Sequence, residues 1–166
     1  SIAAPALLKL GVPLVVSHMF VFYFGIMADL TPPVALAAFA AASIAKESAM
    51  KIGVKATQIA IAGFVIPFMA VYDPALMLQP DAAGNFSWMA AVYVVGKALL
   101  AIALWGGTAV GYLGRPLNVA ERLWAAVAAS LLVAAVPATD EIGFAAAFVF
   151  LGWNYLRMRR TRVATA

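Results

Sequence analysis

The chain of 166 residues is 66% hydrophobic and 11% charged, with a net charge of +4. A soluble domain carries about 25% charged residues, so this composition excludes a water-covered globule and indicates an all-α integral membrane protein with several spans. Its Lys and Arg sit at the ends of apolar spans, which is the placement of membrane orientation rather than of nucleic-acid binding, and the lack of cysteine excludes disulfides and thiolate metal sites.

In chain order, residues 1–10 (SIAAPALLKL) are too short to span a bilayer and read as one arm of a short helix, punctuated by Gly11 and Pro13. The chain starts at Ser1 inside apolar sequence, without signal-peptide features, so a C-terminal part of a longer protein is expected. Residues 12–45 form one apolar stretch whose only ionisable groups are His18 and Asp29. As one helix it would be about 51 Å long at ~1.5 Å per residue, against a hydrocarbon core of about 30 Å. A broken transmembrane helix is therefore expected, interrupted at Thr31-Pro32-Pro33. Residues 46–57 (KESAMKIGVKAT) read as a basic loop or surface helix, and 58–79 as a span containing Gly63 and Pro67, the proline kinking it. A turn-rich loop, 80–88, leads to a second span, 89–113, which carries Lys97. A short basic loop (114–122) precedes two shorter helices, 123–136 and 143–156, expected to flank the core, and then the basic tail 157–162 (RMRRTR).

Basic residues orient this arrangement. The segments 46–57, 114–122 and 157–162 hold nine of the eleven Lys and Arg: Lys46, Lys51, Lys55, Arg115, Arg122, Arg157, Arg159, Arg160 and Arg162. The opposite loops, 80–88 and 137–142, hold none. The tail and the 46–57 loop are therefore expected in the cytoplasm.

The break is the candidate site. Pro32 and Pro33 lack the N–H groups that would bond the carbonyls of Ala28 and Asp29 in a helix. Pre-proline restriction pushes Thr31 and Pro32 out of helical geometry. Free carbonyls are tolerated at membrane depth only inside protein or beside a watery cavity. Near the bilayer midplane, such carbonyls and the Thr31 hydroxyl suit a cation. The N-terminal end of the second half-helix suits an anion. The bland alternative is a proline kink. Asp29 reads either as a functional charge or as a neutral or helix-capping group. His18 reads as a helix–helix hydrogen-bond partner or a substrate contact. Lys97 can snorkel, pair with Asp73 or attract an anion. Gly107 and Gly111 fit small-xxx-small helix packing. Phe20, Phe22, Tyr23 and Phe24 read as packing or lipid-facing surface. No phosphate loop, metal cluster or catalytic triad is present in the sequence, so no enzyme is expected.

The segment HMFVFYFGIMADLTPPVALAAFAAASIA (18–45) resembles the large membrane subunit of tripartite ATP-independent periplasmic (TRAP) transporters. GFVIPFMAVYDPALML (63–78) and the basic loop before it resemble the TAXI-type fused permeases of that family. The resemblance is strong over about 1–80 and weaker beyond. It implies the C-terminal half of an elevator-type ion transporter, in which residues 1–11 are the returning arm of a re-entrant hairpin. It implies uptake of small organic acids delivered by a periplasmic solute-binding protein, with sodium as coupling ion and no other cofactor. It further implies a small membrane subunit or fused equivalent and residence in the bacterial inner membrane. The implied ion site is Ala28, Asp29, Leu30, Thr31, Pro32 and Pro33. Thr31, Val34 and His18 are the candidate solute contacts. Ala35 departs from the glycine that many relatives carry after the TPPV valine, which fits a different solute or tighter packing. The competing reading is a non-transporting membrane scaffold, which has no use for such a break.

Single cysteines introduced at Ser48 and Ser87 of this cysteine-free chain should label from opposite faces of the membrane. Labelling of both from one face would reject the orientation.

Overall fold

The computed structural model describes residues 2–81, 83–134 and 137–164, apart from the side chains of residues 62, 137 and 160–164. The side chains of Arg160 and Arg162 of the basic tail, and residues 135–136 of the expected helix 123–136, fall outside that description. The chain forms α1 (Ala3–Lys9), α2 (Leu14–Ala28), α3 (Leu36–Ala45), α4 (Ala49–Tyr72), a 3-10 turn (Pro74–Met77), α5 (Trp88–Val110), α6 (Val119–Val133) and α7 (Pro137–Ala164). Among the described residues there are no strands beyond an isolated bridge between Tyr112 and Pro116. The chain is all-helical, and α4 and α5 are long and apolar enough to cross a membrane. It divides into two compact units inside α5, between Gly96 and Lys97.

In the first unit, α1 packs on α2, and both α2 and α3 pack on α4. Aromatic rings hold α2 to α4. Phe20 and Phe24 meet Phe68 at centroid distances of 5.3 and 5.6 Å, close to edge-on, and Phe24 meets Phe64 at 6.1 Å. Such pairs add about 0.5–1.5 kcal/mol each beyond their burial. Tyr23 and Met27 lie over Gly63, where a Cβ would overlap the Met27 methyl. Phe22 points away and is exposed.

The basic segment 46–57 is helical from Ala49 onward, so only Lys46, Glu47 and Ser48 form a turn. Its lysines and alanines are good helix formers, and Lys51 pairs with Glu47 at 2.8 Å one turn earlier. At the other end α4 stops at Tyr72 rather than running to 79. Asp73 precedes Pro74 and is extended (φ −135°, ψ 91°), the conformation a following proline imposes. The Asp73 carboxylate accepts the Ala75 amide at 3.2 Å, so it caps the 3-10 turn.

The second unit is built from the latter part of α5 with α6 and α7. Leu104, Ala125, Ala128, Ala129, Leu132 and Phe150 are fully buried in its core. Gly143 admits the α6 backbone, since a Cβ there would lie 3.0 Å from the Leu132 nitrogen. The α5 helix closes at Gly111, which is left-handed (φ 77°). The amides of Gly111 and Tyr112 return to the Gly107 carbonyl. Gly111 thus ends a helix and Gly107 packs on Leu113, so neither forms the small-residue helix interface expected from their spacing. The Arg122 guanidinium donates to the last-turn carbonyls of Thr108 (2.8 Å) and Ala109 (3.3 Å). That places a cation at the negative end of the helix dipole.

Lys97 is only 4% exposed, and its ammonium donates to both oxygens of Asp140, at 2.9 and 3.1 Å. This partner lies on α7, whereas the pairing considered from sequence was with Asp73. A buried ammonium needs a counter-charge close by, and Asp140 in the first turn of α7 supplies it while also suiting that helix's positive end. The expected short helix 143–156 is instead the 28-residue α7, about 42 Å long. Pro137 suits its first position, and the Leu, Met and Arg of the tail continue it with cations near the C-terminus.

Glu121 organises the start of α6. Asn118 caps the helix by accepting the Glu121 amide (2.8 Å), and the Glu121 carboxylate accepts the Asn118 amide in return (3.0 Å). The same carboxylate takes a two-pronged contact from Arg115 and a bond from Arg157 at 3.1 Å. Glu121 is buried. The Arg115 hydrogen bond is the main reason its carboxyl is lowered to about 2, outweighing burial, with Asn118 and Arg157 acting in the same sense.

A carboxyl lowered from 4.5 to about 2 stabilises the fold fully above pH 4.5 and loses that contribution as pH falls toward 2. Glu121→Gln should therefore unfold at lower temperature than the parent near neutral pH. The gap between the two should close progressively below about pH 4.5 in thermal unfolding of the detergent-solubilised protein. A gap independent of pH would show that the carboxylate charge is not what matters there.

Candidate functional site

The segment between α2 and α3 carries the candidate residues. Helix α2 ends at Ala28 and α3 starts at Leu36, leaving Asp29–Ala35 as a compact turn. The interruption follows from residue chemistry: two prolines in succession supply no amide, and each restricts the residue before it. The Pro32–Pro33 peptide is cis. Ala35 re-enters the helix from the left-handed region, with φ 39° and ψ 40°, and is completely buried.

The carbonyls expected to be bare are engaged. The Ala28 oxygen accepts the Ala35 amide at 3.2 Å and the Thr31 amide at 3.4 Å. The Asp29 oxygen accepts the Ala37 amide at 3.1 Å, and the Thr31 oxygen that of Ala35 at 3.0 Å. The chain corrects the proline deficit by folding forward, so amides of the next helix reach carbonyls left by the previous one. Each carbonyl oxygen has two lone pairs, so one amide leaves capacity for a further partner. The Thr31 hydroxyl donates to the Met27 carbonyl at 3.1 Å, which spends its proton and leaves its oxygen lone pairs as acceptors.

Two residues of α4 hold this turn, and neither was singled out by sequence. Gly53 is buried against it, and a Cβ there would come 2.9 Å from Pro32 Cγ and 3.6 Å from the Ala35 methyl. One turn later, the Thr57 hydroxyl lies 3.4 Å from the Leu30 carbonyl and 2.9 Å from the Gly53 carbonyl. The turn thus sits beside the first third of α4 and not beside its midpoint. The available signal was the i, i+4 pairing of two small residues, Gly53 and Thr57, within a segment whose lysines made it read as a surface stretch.

The turn brings Ala28, Asp29, Leu30, Thr31, Pro32, Pro33 and Val34 together. Asp29, Pro33 and Val34 are exposed, while Ala28, Leu30, Thr31 and Pro32 are half-buried. His18 is not part of the cluster. It lies on α2 ten residues before Ala28, about 15 Å along the helix, and is exposed. Among the described residues no group of three or more His, Cys, Asp or Glu is placed to hold a metal ion.

Residues 1–80 match the family model described as tripartite ATP-independent periplasmic transporter, DctM component. The match covers α1 to the 3-10 turn and therefore includes the whole Asp29–Ala35 turn and its α4 neighbours. No curated protein and no solved structure matches the chain.

Two substitutions test how the turn is held. Ala35→Gly removes the left-handed penalty of about 1–2 kcal/mol, offset by the extra chain freedom of glycine, so thermal stability should rise slightly. Gly53→Ala forces the rigid Pro32 ring to move and should destabilise by about 1–3 kcal/mol. Thermal unfolding in detergent measures both, and a neutral Gly53→Ala would show that the close approach is dispensable.

Proposed function

We propose, because residues 1–80 match the family model of the DctM component of TRAP transporters, that the chain is the C-terminal part of a sodium-coupled permease for small organic acids. In this reading it belongs to a TAXI-type fused permease with elevator architecture. A periplasmic solute-binding protein hands the acid over, and a small membrane subunit or fused equivalent completes the complex in the inner membrane. Helix α1 is the returning arm of a re-entrant hairpin, and α2 with α3 forms one broken transmembrane helix. Sodium is a transported substrate here, and the Asp29–Ala35 turn is its binding segment.

The observation that carries this reading is a non-helical turn rich in carbonyl oxygens within the family-matched segment. Sodium takes oxygen ligands, and neutral carbonyls replace its water shell without adding a full negative charge at membrane depth. The Thr31 hydroxyl, with its proton committed to Met27, offers one more oxygen. Asp29 at the surface of the turn adds negative potential. Val34, exposed beside Pro33, is the apolar edge available to a solute. His18 is too far along α2 to act at the same point.

One observation favours a second reading, a turn that only shapes the helix: the carbonyls of Ala28, Asp29 and Thr31 already accept amides.

Solute uptake by the full-length protein in liposomes separates the two, with sodium, candidate organic acids and binding proteins varied. Thr31→Val keeps the shape and deletes the hydroxyl. Pro32→Ala with Pro33→Ala restores the amides and lets the helix re-form. Both should insert yet need several-fold more sodium for half-maximal uptake, on the order of one lost charge-assisted contact, with the double variant worse. Unchanged sodium dependence in both, with uptake intact, would leave the turn a structural bend.

A further inference from the structure

We propose that Thr57, on α4, contributes its hydroxyl oxygen to the cation site of the Asp29–Ala35 turn, paired with the carbonyl oxygen of Leu30. This rests on the sodium-binding reading of the turn and adds a ligand from a helix outside the Thr-Pro-Pro segment.

The argument is one of proton allocation. A threonine hydroxyl has one proton and two lone pairs. Thr57 Oγ1 lies 2.9 Å from the Gly53 carbonyl and 3.4 Å from the Leu30 carbonyl. The shorter contact, one turn back on the same helix, takes the proton, because a hydroxyl bond at about 2.8 Å is optimal and one at 3.4 Å is weak. With the proton directed to Gly53, the weaker 3.4 Å contact between Thr57 Oγ1 and Leu30 O leaves lone pairs of both oxygens free to accept. Both carry partial negative charge, so the pair is mildly repulsive by itself and favourable around a positive ion.

The spacing suits such an ion. Calcium takes oxygen ligands at about 2.3–2.6 Å, and sodium has nearly the same radius. Two oxygens at right angles around such an ion, each about 2.4 Å away, are about 3.4 Å apart. Thr31 shows the same arrangement within the turn: its proton goes to the Met27 carbonyl four residues back, and its oxygen is left to accept.

Gly53 makes the approach possible. With no Cβ it lets Pro32 close against α4, and this holds Leu30 within reach of Thr57 one turn further on. The helix that carries Thr57 therefore also sets the depth at which the turn docks. Thr57 and Leu30 are each half-buried, so neither residue belongs to a fully buried core.

The test uses sodium itself as the probe. Full-length protein in detergent is titrated with sodium chloride against choline chloride at constant ionic strength, following the rise in unfolding temperature that binding to the folded state produces. Lithium is run in parallel. Thr57→Val should raise the half-saturating sodium concentration about tenfold, the order expected for one lost contact to a charge, and alter the preference for sodium over lithium. Thr57→Ser should stay within about twofold of the parent, since it keeps the oxygen. A purely structural hydroxyl would instead lower the unfolding temperature equally with and without sodium and leave the preference between the ions unchanged, which overturns the proposal. If Thr31→Val weakens sodium binding and Thr57→Val does not, Thr57 is excluded while the function of the turn stands. If neither variant changes the sodium response, the ion site lies elsewhere and both readings fall. Should Thr57→Val not insert, Thr57→Ala removes the same oxygen without branching and is judged by the same outcomes.

Discussion

Two consecutive prolines withhold two amide donors between α2 and α3, in a unit whose backbone is mostly helical. The first unit is arranged around that deficit. A helix carrying such a gap must find donors elsewhere, because an unsatisfied carbonyl away from water costs several kcal/mol. Here the following turn folds forward until the amides of Ala35 and Ala37 reach the carbonyls of Ala28 and Asp29. The conformation this demands at Ala35, left-handed and fully buried, is one that an alanine adopts only under constraint. The constraint comes from α4. Gly53 lets Pro32 approach, and the aromatic contacts of Phe20 and Phe24 with Phe64 and Phe68 fix α2 on the same helix further along.

The second unit solves a different problem with charge. Its core is mostly alanine and leucine, whose burial fixes spacing but discriminates little between alternative helix registers. Paired charges add direction. Lys97 meets Asp140 between α5 and α7, Arg122 closes the end of α5, and Glu121 gathers Arg115, Arg157 and the Asn118 amide. Buried ion pairs return little net stability against well-packed apolar side chains, but breaking one leaves an uncompensated charge. Helix arrangements that separate Lys97 from Asp140 or Arg115 from Glu121 would leave a buried charge uncompensated.

The function proposed for the first unit draws on the same physics as its fold. The turn that repairs the proline deficit gathers carbonyl oxygens and the Thr31 hydroxyl, with the Thr57 hydroxyl of α4 beside it. Thr31 gives its proton to the Met27 carbonyl at the end of α2, and Thr57 makes its shorter contact with the Gly53 carbonyl one turn back on α4. The oxygen lone pairs that remain are the chemistry the proposed cation site would use.

Composition, the long apolar stretches and the Asp-Leu-Thr-Pro-Pro run were enough to establish a helical, apolar chain whose helix stops near residue 28, because missing amides and pre-proline sterics act locally. The resemblance of residues 18–45 and 63–78 to TRAP permeases was legible for the same reason, in contiguous residues. The extents of α4 and α7 were misread, since lysine and arginine are equally at home in a loop and on a helix, and only packing decides between them. Lys97 showed its need for a counter-charge in sequence, yet its choice of Asp140 over Asp73 depends on which helix lies beside it. The satisfied carbonyls of Ala28 and Asp29, and the roles of Gly53 and Thr57, belong wholly to tertiary structure. They arise from distances between segments more than twenty residues apart, or from the path of the chain through a turn, which residue identity alone does not encode.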